Sequence, residues 1–382
     1  MSLLRNLPQS LLTLALTLVP VSGFSLLVGC ADSSAVQTDR EIGAVASQVA
    51  GEDSPMTTRQ LLARIESSRT DVAYHGTRRL RMNYRVLGDQ RDLEYVERVA
   101  SDGQGRFGMD IGEIASPAMT VEDEQFFRIL QGNRQGFFYR YRDFGIRDLE
   151  LFQQGYELRH TGQAEICGRD CVVLEVRHRE RPKRWYVVAI DPRTGVVMRS
   201  EEHVGGSGEI VTSIEFESFE EGLPQDADDF PWYASSFDRK ELMMGLKGRS
   251  QVGFRILSPT LLPEDYRFER ADSLLDEDGR TWVRLVYGDG VENVFFLHSP
   301  LSAPRRAPDD QRETVILPTA VGGADETTPA PTGSDRVTVA EVGPWTVVEG
   351  TVRGQSIVAM GKVGEDELLQ MVQSALETRP GN

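Results

Sequence analysis

Between Arg79 and Val86 the chain alternates with a period of two: Leu80, Met82, Tyr84 and Val86 are apolar or aromatic, and Arg79, Arg81, Asn83 and Arg85 stand among them. This pattern predicts a strand buried on one face and wetted on the other. Such a strand needs antiparallel neighbours and a cover for its apolar face. The neighbours follow at once. A loop at Gly88-Asp89-Gln90 leads to a second strand, Leu93 to Val99, and Asp102-Gly103 turns into a third, Arg106 to Ile111, with Phe107, Met109 and Ile111 on one side. Ahead of this meander, Thr57 or Thr58 caps a helix over Arg59 to Ser68 with Leu61, Leu62 and Ile65 on one stripe.

Further along, the aromatic-rich stretch from Glu122 to Phe152 is less regular and reads as a helix followed by strand and loop. Strands are predicted at 171 to 177, 184 to 190, 196 to 202 and 209 to 217, and Asp191-Pro192-Arg193-Thr194-Gly195 supplies the residues a tight hairpin needs. After Gly222-Leu223-Pro224 and an acidic run a second unit begins. Its strands are predicted at Gly253 to Leu257, Tyr266 to Asp272, Thr281 to Tyr287 and Glu292 to His298, then Trp345 to Val352 and Gln355 to Lys362, before a closing helix from Glu365 to Leu376. Residues 303 to 335, rich in Pro, Thr, Ala and Asp, read as a disordered insertion. The division is therefore a leader (1–30), a polar tether (31–56), a curved-sheet unit (57–222), a linker (223–230) and a smaller unit (231–382).

Of the 382 residues, 42 are Lys or Arg and 59 Asp or Glu, a net charge of −17 that argues against a general nucleic-acid binder. No GxSxG, HExxH or P-loop is present, so no enzyme and no cofactor is expected. Gly205-Gly206-Ser207-Gly208 lies between two predicted strands and reads as a hairpin turn, and Asp276-Glu277-Asp278-Gly279 lacks the later ligands of a calcium loop. The five histidines are scattered, so no metal site is expected.

The first thirty residues stand apart from the fold. Arg5 precedes apolar runs at Leu11 to Val21 and Phe24 to Val28, ending in Leu27-Val28-Gly29-Cys30. This is a signal peptide with a lipobox that resembles those of bacterial lipoproteins, and it makes Cys30 the expected site of lipidation and membrane anchoring. Export implies an oxidising compartment, and Cys167 and Cys171 flank Gly168-Arg169-Asp170. A disulfide across the hairpin end is expected there; the alternative is two reduced thiols that merely flank a turn.

The apolar face of the first sheet offers a candidate lipid-binding surface: Leu80, Met82, Tyr84, Phe107, Met109, Phe126, Phe127, Ile129 and Leu130. Covered loosely, it is an acyl-chain cavity; covered tightly, it is a core, which is the commoner fate of such stripes.

The order of several motifs resembles that of the RseB/MucB family of periplasmic sigma-E regulators. They are Tyr74-His75-Gly76-Thr77, Glu97-Arg98-Val99, Asp102-Gly103-Gln104-Gly105-Arg106-Phe107, Gly155-Tyr156-Glu157-Leu158, the segments 166–174 and 185–195, and in the second unit 285–296 and 345–352. The first half also looks like the LolA/LolB lipoprotein carriers. The resemblance implies an α+β fold, a curved, unclosed antiparallel barrel with a helical lid, plus a smaller α+β C-terminal domain. It also implies a non-enzymatic envelope protein that binds the periplasmic part of a membrane anti-sigma factor or another envelope protein, and senses lipid or acylated ligands. The alternative is a lipid or lipoprotein carrier or acceptor. The lipobox and the insertion depart from the usual regulators, which bears on the partner more than on the fold. The site is placed at the periplasmic face of a bacterial membrane.

Overall fold

The computed structural model describes residues 56–86, 89–114, 142–206, 208–233, 252–275, 279–302, 336–342 and 345–377, and no helix among them is long and apolar enough to cross a membrane. Cys30, the tether up to residue 55, the side chain of Tyr84, all of Phe126, Phe127, Ile129 and Leu130, and the insertion 303–335 lie outside the described residues.

Helix α1 (Thr58–Asp71) starts on a reciprocal cap. Thr57 Oγ1 accepts the Gln60 amide at 3.2 Å, and Gln60 Oε1 accepts the Thr57 amide at 2.8 Å. The meander follows as β1 (Ala73–Val86), β2 (Asp89–Asp102) and β3 (Phe107–Ile114). After a short α2 (Leu149–Gly155) come β4 (Tyr156–Ile166), β5 (Arg169–His178), β6 (Arg184–Ile190), β7 (Val197–Val204), β8 (Glu209–Glu221) and β9 (Trp232–Tyr233). All nine strands form one antiparallel sheet in the order β4-β5-β6-β7-β8-β1-β2-β3-β9, so its end strands do not meet and the barrel stays unclosed.

The second sheet has the order β10-β11-β12-β15-β14-β13, built from β10 (Arg267–Leu275), β11 (Thr281–Gly288), β12 (Asn293–Pro300), β13 (Arg336–Val342), β14 (Trp345–Val352) and β15 (Gln355–Gly361). Helix α3 (Glu365–Glu377) lays Leu368, Met371, Val372 and Ala375 on Val283, Leu285, Phe296, Val348 and Ala359. The expected strand at Gly253 to Leu257 is not one. Gly253 is left-handed (φ +83°), and the Leu257 amide donates to His298 Nε2 at 3.0 Å instead of joining a ladder.

Register fixes what covers the first sheet. Leu174, Val188, Ser200, Ile214, Leu80 and Tyr95 are successive cross-strand partners and so lie in one row on one face. At the Leu174–Val188 end, Leu61, Leu62 and Ile65 of α1 and Phe152 of α2 form the cover. At the Leu80–Tyr95 end the cover is the second sheet, whose Trp282, Val286, Phe295, Trp345 and Val358 share one continuous core with Leu80, Met82, Tyr95 and Met109. The lid is thus helical over half of the face and a β-sheet over the other half.

Candidate functional site

The two covers do not quite meet. In the gap, over Ser200 and Ile214 in the middle of the row, lies a cavity of about 520 Å³. One wall is α1 (Ile65, Ser68, Arg69), a second is the segment 143–147, a third is the second sheet's edge strand β10 (Glu269, Arg270), and Tyr74, Arg78 and Phe107 close the end. Its volume is within the range of small-molecule sites.

Of the residues expected to bind lipid, Phe107 lines this cavity. Leu80, Met82 and Met109 do not: they are 0%, 2% and 3% exposed and sealed against the second sheet. That part of the apolar face is a core.

At the cavity's end the sheet carries charge on its buried side. Arg78 and Glu97 fall in phase with Leu80 and Tyr95, so the pleat turns them inward. Arg78 donates to Glu97 Oε1 at 2.5 Å and to Asp143 Oδ2 at 2.7 Å, while Arg142 donates to Glu97 Oε1 at 2.8 Å, to Asp143 Oδ1 at 2.8 Å and to Tyr95 Oη at 2.7 Å. Burial alone would raise the Asp143 carboxyl, but Arg142 and Arg78 together hold it down to about 2. Two guanidiniums and two carboxylates thus compensate one another, with Arg78, Glu97 and Arg142 buried and Asp143 partly exposed at the cavity, as buried charge requires. The signal for this cluster was in the sequence: a charged residue in step with the apolar positions, where one face is expected to be dry.

A second polar set joins the two sheets. Lys362 Nζ lies 2.9 Å from Glu202 Oε2 and 3.2 Å from Glu292 Oε1, and Tyr186 Oη donates to Glu292. Burial would raise Glu292, but Lys362 together with Arg147, the Tyr186 hydroxyl and Arg184 outweighs it and keeps its carboxyl low. Nearby, the β11–β12 turn docks on the start of α2. The Arg147 amide donates to Gly290 O at 2.8 Å, Tyr156 Oη donates to Asp289 Oδ2 at 2.9 Å, and Arg181 bridges Asp289 and Tyr266. Gly290 (φ +98°) has no room for a side chain, since a Cβ would stand 2.6 Å from the Phe152 amide nitrogen.

The cysteines depart from the expected bridge. Cys167 is inside the two-residue β4–β5 turn at φ +52°, not on a strand facing Cys171, whose cross-strand partner is Ala164. Both are free thiols: Cys167 is exposed with Sγ 3.3 Å from Phe216 O, and Cys171 is buried.

These features define the class: a two-sheet α+β protein with an unclosed curved sheet, a cavity between its covers and a polar seam, and no reactive constellation among the residues described above. Residues 124–233 match the family model of the MucB/RseB N-terminal domain, and the chain is RseB/MucB-like. The quoted motifs at 155–158, 166–174 and 185–195 fall inside that span; those at 74–107 and in the second unit fall outside it. Among solved structures, the MucA/MucB complex of Pseudomonas aeruginosa aligns at 14% identity over 83% of this chain and 96% of that one, with a TM-score of 0.40. MucB in complex with MucA(peri) aligns at 14% identity over 82% and 96%, also at 0.40. A LolA superfamily protein from Nitrosomonas europaea aligns at 10% identity over 44% of this chain and 95% of that one, with a TM-score of 0.17. No curated protein matches the sequence.

Proposed function

We propose that this chain is a lipid-anchored envelope protein of the periplasm that binds the periplasmic part of a membrane anti-sigma factor and so regulates envelope-stress signalling. The observation that carries the reading is the match of residues 124–233 to the MucB/RseB N-terminal domain. MucB is the protein solved with MucA(peri), and the reading transfers that class of partner, not MucA itself. The lipobox ending at Cys30 supports the anchor, and its acyl chains would hold a body too acidic to bind an anionic membrane by charge.

Crosslinking in living cells of the native host, followed by capture of the chain and mass spectrometry, tests the partner. The expected product is a single-span membrane protein whose cytoplasmic part binds a sigma factor. Recovery of lipoprotein-trafficking components in its place would overturn the reading and favour a carrier or acceptor, the function that the cavity of about 520 Å³ supports as second choice.

A further inference from the structure

His178, the last residue of β5, lies at the seam between the two units with its side chain 4% exposed. Its Nδ1 accepts two backbone N–H groups, those of Glu180 and Arg181, each at 3.2 Å. An atom that accepts two donors is unprotonated, so the ring's proton is on Nε2. That atom is buried without a hydrogen-bond partner: Asp265 Oδ2 is 3.6 Å away, and the Gly155 backbone leaves little space beside it. The ring also stands edge-on to Tyr156, centroids 4.9 Å apart.

A second proton can enter only at Nδ1. It would set an N–H against two other N–H groups, and the turn at 179–181 would have to move. Arg181 in that turn is the strut to the second unit, held to Asp289 and Tyr266. Asp289 is fully buried, so once Arg181 leaves, its carboxylate gains by meeting water, which requires the seam to part.

We infer that His178 is an acid-sensitive catch: protonation at Nδ1 displaces the 179–181 turn, frees Arg181 from Asp289 and Tyr266, and loosens the contact between the two sheets. The charged groups facing the ring are Glu180 and Arg181 from its own turn, Asp265 from the segment before β10, and Asp289 from the β11–β12 turn. The three carboxylates favour the added proton; burial first and Arg181 second oppose it and prevail, so protonation falls below the ordinary histidine range. The inference is independent of the partner proposed above.

His178→Asn is the test, because an Asn Oδ1 takes the place of Nδ1 as acceptor and does not titrate. Amide hydrogen exchange is measured on the intact protein, corrected for the intrinsic effect of pH, at Glu180 and Arg181 and at Val291 and Glu292, whose amides bond Asp289 Oδ1. Lowering the pH from about 7.5 to about 5.5 is expected to reduce protection at these four amides about tenfold in the wild type and to leave the variant unchanged. An equal response in both proteins, or none in the wild type, overturns the inference. Should the variant not fold, the His178 ring nitrogens are titrated by NMR in ¹⁵N-histidine-labelled wild type. Their midpoint must lie below the ordinary histidine value of about 6.5, as linkage to a loss of protection on acidification requires, and a ring that titrates at or above that value overturns the catch.

Discussion

Lys362, which follows β15, and Glu202 on β7 belong to different sheets, yet Nζ and Oε2 lie 2.9 Å apart with the lysine side chain 1% exposed. The second sheet is therefore joined to the first by charge as well as by the shared apolar core. Removing the ammonium takes a cation from both Glu202, which keeps Arg184, and Glu292, which keeps the Tyr186 hydroxyl. Lys362→Met is expected to destabilise the protein by about 3–5 kcal/mol. Chemical denaturation reads this directly, and a loss under about 1 kcal/mol would show the seam to be a wet contact.

Gly290→Ala acts on the same seam without touching charge. The new methyl would meet the Phe152 backbone nitrogen at 2.6 Å in a left-handed conformation, and backbone cannot step aside as a flexible side chain can. A loss of at least about 2 kcal/mol is expected. A melting curve unchanged from the wild type would mean that the β11–β12 turn does not sit on α2.

The apolar face divides into filled and open parts, and two truncations distinguish them. Leu80 is fully enclosed, so Leu80→Ala is expected to cost about 3 kcal/mol. Phe107 borders the cavity and is only partly buried, so Phe107→Ala, although it removes more atoms, is expected to cost less. Urea titration of both variants checks the order, and the reverse order would place the void elsewhere.

Acid sensitivity has a second source in the core of the smaller unit. Burial pushes His298 down to about 4, while its Nε2 accepts the Leu257 amide. A depressed histidine contributes stability in full above its unfolded value of about 6.5, and that contribution is lost as the pH falls from there to about 4, an effect of about 3 kcal/mol. His298→Gln keeps an acceptor for Leu257 and does not titrate. Between pH about 7 and about 4.5 it is expected to lose less stability than the wild type in denaturation series.

The free thiols separate by access. Native protein exposed to an alkylating reagent is expected to react at Cys167, while Cys171, whose thiol burial pushes up to about 12, reacts only on unfolding. Peptide mapping under non-reducing conditions reads both outcomes, and a recovered 167–171 bridge would contradict the structure.

What could be read in the sequence followed from periodicity. Trp345–Val352 matches its expected strand to the residue, and Leu80 with Met82 gives the dry face of β1, because alternation survives wherever a strand has one buried side. Edge strands escape this logic. β4 alternates only at its two ends, Tyr156 with Leu158 and Ala164 with Ile166, around the polar His160-Thr161-Gly162-Gln163, and the short Val337–Val339 alternation of β13 immediately follows the stretch read as an insertion. The segment 253–257 errs in the opposite sense, with Phe254 and Ile256 alternating although no strand lies beside them. The cavity was out of reach for a different reason: it depends on where a helix and a distant sheet stop short of each other over Ser200 and Ile214, and no local pattern encodes that distance. Arg78 and Glu97 were legible in principle, as charges in phase with Leu80 and Tyr95.

The strand order carries a timing consequence. β1 lies between β2, its immediate successor, and β8, with Leu80 paired to Ile214. Whether leaving the ribosome or threaded through a membrane, the chain appears N-terminus first, so β1 lacks its β8 partner until residue 221 has followed. The second sheet that covers Leu80 and Met82 arrives later still. Such long-range pairing folds slowly, and for a chain of this design the interval between its first and last strands is the period in which a chaperone matters most.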